Sequence, residues 1–138
     1  PLLGAARSLE PLGLLDLAGV LLWLVGMVFE AGGDWQLARF KADPASQGKV
    51  MDRGLWRYTR HPNYFGESLV WWGMSAIALA VPGGAWTLIS PVLVTLVLLK
   101  MTGVPLTERT TMETRPGYRD YIRRTSTFVP WPPKRDET

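Results

Sequence analysis

The feature that most constrains this fold is a run of 32 consecutive residues, 68–99, without Asp, Glu, Lys, Arg or His. A Pro-Gly-Gly break at residues 82–84 divides the run into two apolar pieces. Upstream, residues 11–33 contain only Asp16 and Glu30 as charges. Because about 20 apolar residues cross a bilayer core, the sequence predicts three membrane helices, at residues 12–40, 63–81 and 85–104.

The positive charges are distributed unevenly about these predicted helices. Of the 15 Lys and Arg residues, 14 lie in two segments that a three-helix arrangement places on the same side of the membrane. The positive-inside rule assigns that side to the cytoplasm. We therefore predict an all-α integral membrane protein with about three transmembrane helices and cytoplasmic basic loops. A water-soluble helical bundle with shorter buried helices is the alternative.

Residue usage excludes several kinds of site. The chain has no Cys and one His, so it lacks thiolate chemistry and a multi-histidine metal centre. No Walker A loop or GxGxxG follows a predicted strand, which excludes the soluble dinucleotide folds. Because the basic residues flank predicted membrane helices, we expect contact with membrane lipids and no nucleic acid partner.

The stretch GLWRYTRHPNYFGESLVWWG, residues 54–73, changes from a basic first half to an apolar second half. Proline suits the first position of a helix, so we expect the second helix to begin at Pro62 with His61 as its cap. Further along, residues 106–125 predict one or two short amphipathic helices interrupted at Pro116 and Gly117, with an extended FVPWPPK tail after them.

Two pairs of polar residues stand out within the predicted helices. Asn63 and Glu67 are spaced i, i+4 on the second helix, and Glu30 and Asp34 have the same spacing on the first. Ionisable groups inside a membrane segment usually face a bundle interior or a watery cavity. We interpret these pairs as parts of one site; ordinary helix-packing residues are the alternative.

Two basic clusters adjoin this predicted site. Arg57, Arg60 and His61 precede the second helix, whose free N-terminal amides favour anions, and guanidinium groups suit phosphate. A second segment adds arginines with Tyr118 and Tyr121 interleaved. Topology determination and anionic lipid contact are the alternative role for both clusters. These residues predict a cavity with cations at its mouth and with acids and an amide deeper inside. Such a cavity suits a long cofactor that has an anionic end and a neutral hydrogen-bonding end.

A family resemblance rests on three segments: FEAGGDWQLARFK, GLWRYTRHPNYFGE and RPGYRDYIRRTSTFVPWPP. Together, over about residues 26–134, they resemble the C-terminal half of bacterial membrane proteins in the steroid 5α-reductase-like superfamily. The resemblance implies that residues 1–138 form a single membrane domain, the cofactor-binding half of a larger reductase fold in the bacterial inner membrane. This chain differs from eukaryotic steroid reductases at Glu30, where they carry Asn. It also differs at Arg60, His61 and Pro62, where they carry small residues.

The resemblance implies an NADPH-dependent reductase that acts on a polarised carbon-carbon double bond of a lipid or steroid-like substrate. It places the nicotinamide end at Asn63 and Glu67, with Asp34 and Glu30 contacting other polar groups of the cofactor. The catalytic candidates are Tyr64, Glu67 and Tyr58, since a phenol can stabilise an enolate and deliver a proton. The remaining cofactor-binding candidates lie in the basic clusters: Arg57, Arg60, His61, Tyr118, Tyr121 and Arg124.

Two other functions are open at this point. The RHPxYxG pattern also resembles isoprenylcysteine carboxyl methyltransferases, in which His61, Tyr64 and Glu108 would bind S-adenosylmethionine. A non-catalytic lipid-binding or assembly subunit is the third reading. A chain of 138 residues can also pair with a second copy to complete its cavity, so a homo-oligomer is compatible with each function.

Overall fold

The computed structural model describes residues 13–135. These residues form helices and connecting loops and no strand, which confirms the all-α fold class. The α-helices are α1 (Leu14–Ala42), α2 (Pro62–Leu79), α3 (Ile89–Leu96), α4 (Gly103–Thr114) and α5 (Tyr118–Arg124). Short 3-10 turns lie at Pro44–Ser46, Gly54–Arg57 and Gly84–Leu88. A π-helical turn, Val97–Met101, lies between α3 and α4.

α1 packs against α2 through glycines. Gly19, Gly26 and Gly33 recur at seven-residue intervals and are the buried residues of α1. A Cβ atom on Gly26 would lie 2.7 Å from the Gly66 carbonyl oxygen, and one on Gly73 would lie 2.6 Å from the Gly19 carbonyl oxygen. Small residues allow membrane helices to approach backbone to backbone. The glycines therefore fix the antiparallel register of α1 against α2.

The opposite side of α2 contacts α3 through hydroxyl and indole groups. The Ser68 hydroxyl lies 2.8 Å from the Thr95 hydroxyl, and the Trp72 indole N–H donates to the same threonine at 3.1 Å. Near the other end of α2, the Ser75 hydroxyl donates to the Thr87 carbonyl oxygen at 3.4 Å. α2 consequently lies between α1 and α3.

Two helical segments are long and apolar enough to cross a membrane, Leu14–Ala42 and Gly84–Thr114. Large apolar side chains cover their outer surfaces; Leu14 is 85% exposed and Val28 is 62% exposed. α2 has 18 residues and carries Asn63 and Glu67. Two of the three predicted membrane helices thus meet the requirement of length and composition, and the number of three, with a crossing through α2, stays a prediction.

Local sequence signals located most helix ends. α2 begins at Pro62 with His61 as its cap, and Gly117 adopts a positive φ of 91° between α4 and α5, so both predicted positions are confirmed. The predicted end of the third helix at residue 104, just before Pro105, is wrong. The irregular turn precedes it, and Pro105 occupies the first turn of α4, where a missing backbone N–H breaks no helical hydrogen bond.

Candidate functional site

The two predicted i, i+4 pairs meet at the junction of α1 and α2. The Asn63 side-chain N–H donates to an Asp34 carboxylate oxygen at 3.1 Å. This contact is possible because Gly33 lies against Pro62 and Asn63. A Cβ atom on Gly33 would lie 3.1 Å from the backbone nitrogen of Asn63. The Gly33 carbonyl oxygen accepts the Trp56 indole N–H at 3.0 Å, which fixes the loop before α2.

The other member of each pair, Glu30 on α1 and Glu67 on α2, lies one helical turn away. A Cβ atom on Gly66 would lie 2.9 Å from the Glu30 Cα atom, so the residue beside Gly66, Glu67, is at the level of Glu30. Both side chains are half-buried. We refer to Glu30, Asp34, Asn63 and Glu67 as the polar cluster. The structure brings all four sequence-predicted residues together across the glycine-packed interface.

A buried ion cluster lies just before α2. The Arg60 guanidinium contacts Glu108 at 2.9 Å, and the His61 Nε2 atom lies 3.1 Å from the other oxygen of the same carboxylate. The Arg60 and His61 residues are 6% and 1% exposed. Arg60 also donates to the Thr127 hydroxyl. The sequence predicted Arg60 and His61 at an open cavity mouth; the structure instead pairs both side chains with Glu108 of α4, and cofactor binding by them stays a prediction.

Three buried side-chain atoms lack a hydrogen-bond partner within residues 13–135, and all three fall in the RHPN segment, residues 60–63. They are Arg60 Nε, His61 Nδ1 and Asn63 Oδ1. Buried polar groups are nearly always hydrogen-bonded, and each exception in a folded protein requires an explanation. Arg60 Nε is a donor, Asn63 Oδ1 is an acceptor, and His61 Nδ1 is one or the other according to the tautomer. Three such atoms within four residues are suited to a polar ligand.

The tyrosine candidates for catalysis occupy different environments. The Tyr64 ring stacks on His61 with centroids 5.4 Å apart, and its hydroxyl lies 2.9 Å from the Thr107 hydroxyl. Tyr58 is 44% exposed, and its carbonyl oxygen accepts the Trp131 N–H at 3.0 Å. Tyr64 therefore belongs to the buried cluster, whereas Tyr58 contacts the C-terminal tail.

The tail, residues 125–135, lies along the loop that precedes α2. The backbone N–H of Arg60 donates to the Ser126 carbonyl oxygen at 2.8 Å, and the Thr59 hydroxyl donates to the Phe128 carbonyl oxygen at 2.8 Å. Two basic clefts result. One is lined by Asp52, Arg57, Arg124, Lys134 and Arg135, and the other by Arg60, Arg123, Arg124 and Lys134 among other residues.

The first of these clefts contains basic residues that the sequence predicted as cofactor ligands and others that it did not. Arg57 and Arg124, both predicted as phosphate ligands, line the first cleft. Lys134 and Arg135 share it, although the sequence analysis did not select them. Their position depends on the tail folding back, since the Lys134 N–H donates to the Arg124 carbonyl oxygen at 2.9 Å. The run of prolines before Lys134 is the sequence signal for such an extended segment.

Tyr118 and Tyr121 line a separate cleft of about 90 Å³ with Arg60, Arg115 and Trp56. The Tyr121 hydroxyl donates to the Trp56 carbonyl oxygen and, at 3.3 Å, to the Thr59 carbonyl oxygen. Burial raises the pKa of Tyr118, with a smaller contribution from Glu108. Burial also raises the pKa of Tyr121. Both phenols are neutral, and the Tyr121 hydroxyl supports the loop; its predicted contact with a cofactor stays a prediction.

Comparison with known proteins is consistent with the reductase resemblance. The family described as Protein of unknown function (DUF1295) matches residues 2–125. The 3-oxo-5-alpha-steroid 4-dehydrogenase 1 of Mus musculus is 33% identical over 72 residues, 52% of this chain and 28% of that protein. The Homo sapiens protein of the same name is 33% identical over 70 residues, 51% of this chain and 27% of its own length.

The matched segment thus spans little more than a quarter of these curated relatives. No solved structure matches the chain. The resemblance to isoprenylcysteine carboxyl methyltransferases is not shown by these comparisons. Because the family match covers most of the 138 residues, the chain belongs to the DUF1295 family, a steroid 5α-reductase-like family.

Proposed function

We propose that this chain is a membrane oxidoreductase that uses NADPH to reduce a polarised carbon-carbon double bond of a lipid or steroid-like molecule. The observation that carries the proposal is the polar cluster beside the RHPN segment, where the buried atoms without partners are concentrated. The curated relatives, named as 3-oxo-5-alpha-steroid dehydrogenases, support the reaction class and a steroid-like substrate. We place the protein in the bacterial inner membrane with its basic loops cytoplasmic.

The polar cluster fits the nicotinamide end of such a cofactor. A carboxamide offers N–H donors and a carbonyl acceptor. Asn63 has its N–H group engaged by Asp34 at 3.1 Å, so its buried Oδ1 atom is the acceptor that remains for a ligand N–H. Glu30 and Glu67 are half-buried carboxylates and can accept further N–H or hydroxyl groups. Asn63 and Glu67 would hold the carboxamide, with Glu30 and Asp34 beside it.

The basic clefts fit the anionic part. Arg57 and Arg124 line one of the basic clefts, and Arg60 and Tyr118 line the separate cleft of about 90 Å³. Arginine forks bind phosphate bidentately. An arginine can also recognise the additional phosphate that distinguishes NADPH from NADH, as in other dinucleotide folds. We therefore propose these four residues as phosphate ligands.

NADPH supplies the hydride that adds to the β-carbon of an enone. The protein must then stabilise the charge that develops on the carbonyl oxygen and deliver a proton to the α-carbon. Tyr64 is the better proton donor of the two tyrosine candidates because it is half-buried and directly follows Asn63 of the polar cluster in the chain, whereas Tyr58 lies against the tail. Glu67 acts by orienting the carboxamide. The substrate would lie in the apolar surroundings of the helices.

A second candidate function is S-adenosylmethionine-dependent methyl transfer. One observation favours it: the three residues that the methyltransferase resemblance selects are in contact. His61 lies 3.1 Å from Glu108, and its ring stacks on Tyr64. The same contacts serve the reductase as a rigid support, and the curated relatives favour the reductase.

Cofactor binding separates these functions. A ligand bound only by the folded state raises stability by about 2.7 kcal/mol at 100 times its Kd. We expect NADPH to raise the thermal midpoint of the detergent-purified protein, and S-adenosylmethionine to leave it unchanged. Asn63→Ala and Glu67→Ala should remove the NADPH response, while Glu113→Ala, at an exposed residue of α4, should keep it.

The other outcomes decide against the proposal. A response to S-adenosylmethionine alone would establish the methyltransferase. A protein that responds to neither compound would fit the non-catalytic lipid-binding or assembly subunit. If both polar-cluster variants keep the full NADPH response, the cluster is a packing feature and the cofactor lies elsewhere.

A further inference from the structure

His61 is the only histidine in the chain, and its imidazole is used on one side only. The ring is buried, with 1% of the residue exposed. Its Nε2 atom lies 3.1 Å from a Glu108 oxygen. Its Nδ1 atom is buried without a partner within residues 13–135. A buried imidazole with one satisfied and one unsatisfied nitrogen requires an explanation.

The charges around the ring determine its protonation state. Glu108 forms an ion pair with Arg60 at 2.9 Å, and arginine offers donors only, so the carboxylate acts as an acceptor for both neighbours. The His61 Nε2 atom must then carry the proton. A second proton on Nδ1 would give two buried cations for one carboxylate, and uncompensated buried charge is strongly unfavourable. The neutral Nε2–H tautomer leaves a lone pair on Nδ1.

Glu108 and its neighbour Thr107 each contact one aromatic ring of the site. Glu108 binds His61, the cap of α2, and the Thr107 hydroxyl lies 2.9 Å from the Tyr64 hydroxyl. The two rings stack at 5.4 Å with an interplanar angle of 16°. α4 therefore fixes both the ring that carries the free lone pair and the ring proposed to donate a proton.

We propose that Glu108 is a positioning residue that locks His61 in the Nε2–H tautomer, which makes the buried Nδ1 atom a hydrogen-bond acceptor for a ligand. The group it accepts is a neutral donor, a hydroxyl or an amide N–H. That this donor belongs to NADPH rests on the proposed function. The tautomer itself depends only on the contacts of Arg60, His61 and Glu108.

The single histidine makes the tautomer directly measurable. In protein labelled with ¹⁵N-histidine, a long-range ¹H–¹⁵N spectrum shows one imidazole. We expect a protonated Nε2 and an unprotonated Nδ1 at neutral pH without any ligand. A protonated Nδ1, or an imidazolium, in the wild-type protein would overturn the proposal. Glu108→Gln should mix the tautomers, Glu108→Asp should restore the Nε2–H form, and Glu113→Gln should match the wild type.

Addition of NADPH tests the ligand half. We expect the Nδ1 resonance to shift more than the Nε2 resonance, and Glu108→Gln to weaken NADPH binding at least about tenfold, with Glu113→Gln unchanged. If NADPH raises the thermal midpoint but leaves Nδ1 unaffected, the acceptor assignment is wrong while the reductase stands. If NADPH does not bind, the reductase and the ligand assignment both fail, and the ligand-free tautomer still decides the role of Glu108.

Discussion

Gly66 of α2 lies so close to Glu30 of α1 that a Cβ atom on the glycine would come within 2.9 Å of the Glu30 Cα atom. A backbone atom cannot move aside as a side chain can. We therefore expect Gly66→Ala to separate the helices and to lower the free energy of unfolding by about 1–3 kcal/mol, measured by denaturation in detergent. The separation should also pull the polar cluster apart.

Gly32→Ala is the matched control for this change. Gly32 lies in the same helix as Glu30, but its added Cβ atom would meet only a Leu55 methyl group at 3.3 Å. Because alanine favours helix over glycine by up to about 1 kcal/mol, this variant should be as stable as the wild type or more so. Equal stability of the two variants would show that the glycine interface is not tightly packed.

The glycine interface also shows what the sequence could have disclosed. Gly19, Gly26 and Gly33 recur every seven residues, and Gly66 and Gly73 repeat the interval. This spacing places one small residue on the same helix face every second turn, a pattern typical of close membrane-helix packing. The glycine spacing could therefore have predicted the close packing of α1 against α2. The i, i+4 pairs, by contrast, could be placed on one helix face each from their spacing alone, and Asn63 and Asp34 are in contact; their role in a site stays a prediction.

Other features could not be predicted from local patterns. Glu108 meets Arg60 and His61 across more than 45 positions of chain, and no helical periodicity relates α4 to the start of α2. The burial of Arg60 and His61 follows from that tertiary contact. The end of the third helix was misplaced for a related reason, since a proline such as Pro105 is equally compatible with the end of one helix and the first turn of the next.

The buried ion pair of Arg60 and Glu108 should dominate the stability of the region around the N-terminus of α2. Removing one partner of a buried pair leaves an uncompensated charge and costs about 3–5 kcal/mol. Glu108→Ala should therefore destabilise the protein strongly in chemical denaturation. The exposed pair of Arg109 and Glu113, at 3.9 Å on the same helix, supplies the comparison: Glu113→Ala should cost less than about 1 kcal/mol. Similar losses for the two variants would contradict the buried role of Glu108.

Alkaline pH should destabilise the protein through its buried tyrosines. Burial raises the pKa of Tyr118 and of Tyr121 in the folded state, while in the unfolded chain a tyrosine ionises near pH 10. The unfolded state then releases protons that the folded state retains, so this stability is complete below about pH 10 and is lost as the pH rises further. Thermal midpoints measured from pH 8 upwards should fall accordingly.

Substitution identifies the groups responsible for this alkaline loss. Tyr121→Phe removes one raised pKa, so its stability should fall less steeply above about pH 10 than that of the wild type. The same change lowers stability at neutral pH, because the Trp56 and Thr59 carbonyl oxygens lose the Tyr121 hydroxyl. Identical slopes for the two proteins would remove Tyr121 as a cause.

The proton donor of the proposed reaction can be identified by comparing two tyrosines. Tyr64→Phe keeps the ring that stacks on His61 and removes only the hydroxyl that lies 2.9 Å from Thr107. Loss of a general acid typically lowers the rate of the chemical step about 10²–10⁴-fold. We expect that fall in kcat, followed as NADPH consumption with a series of enone lipids, while NADPH binding is retained.

Tyr58→Phe makes the same chemical change at the tail and should reduce the same activity little, because Tyr58 contacts Arg57 and the tail rather than the polar cluster. If instead Tyr58→Phe stops turnover and Tyr64→Phe does not, the tail must close over the site during catalysis, and the proton is delivered from that side. If neither change slows turnover, the proton comes from a group other than a phenol, and Glu67 is then the acid closest to the proposed nicotinamide position.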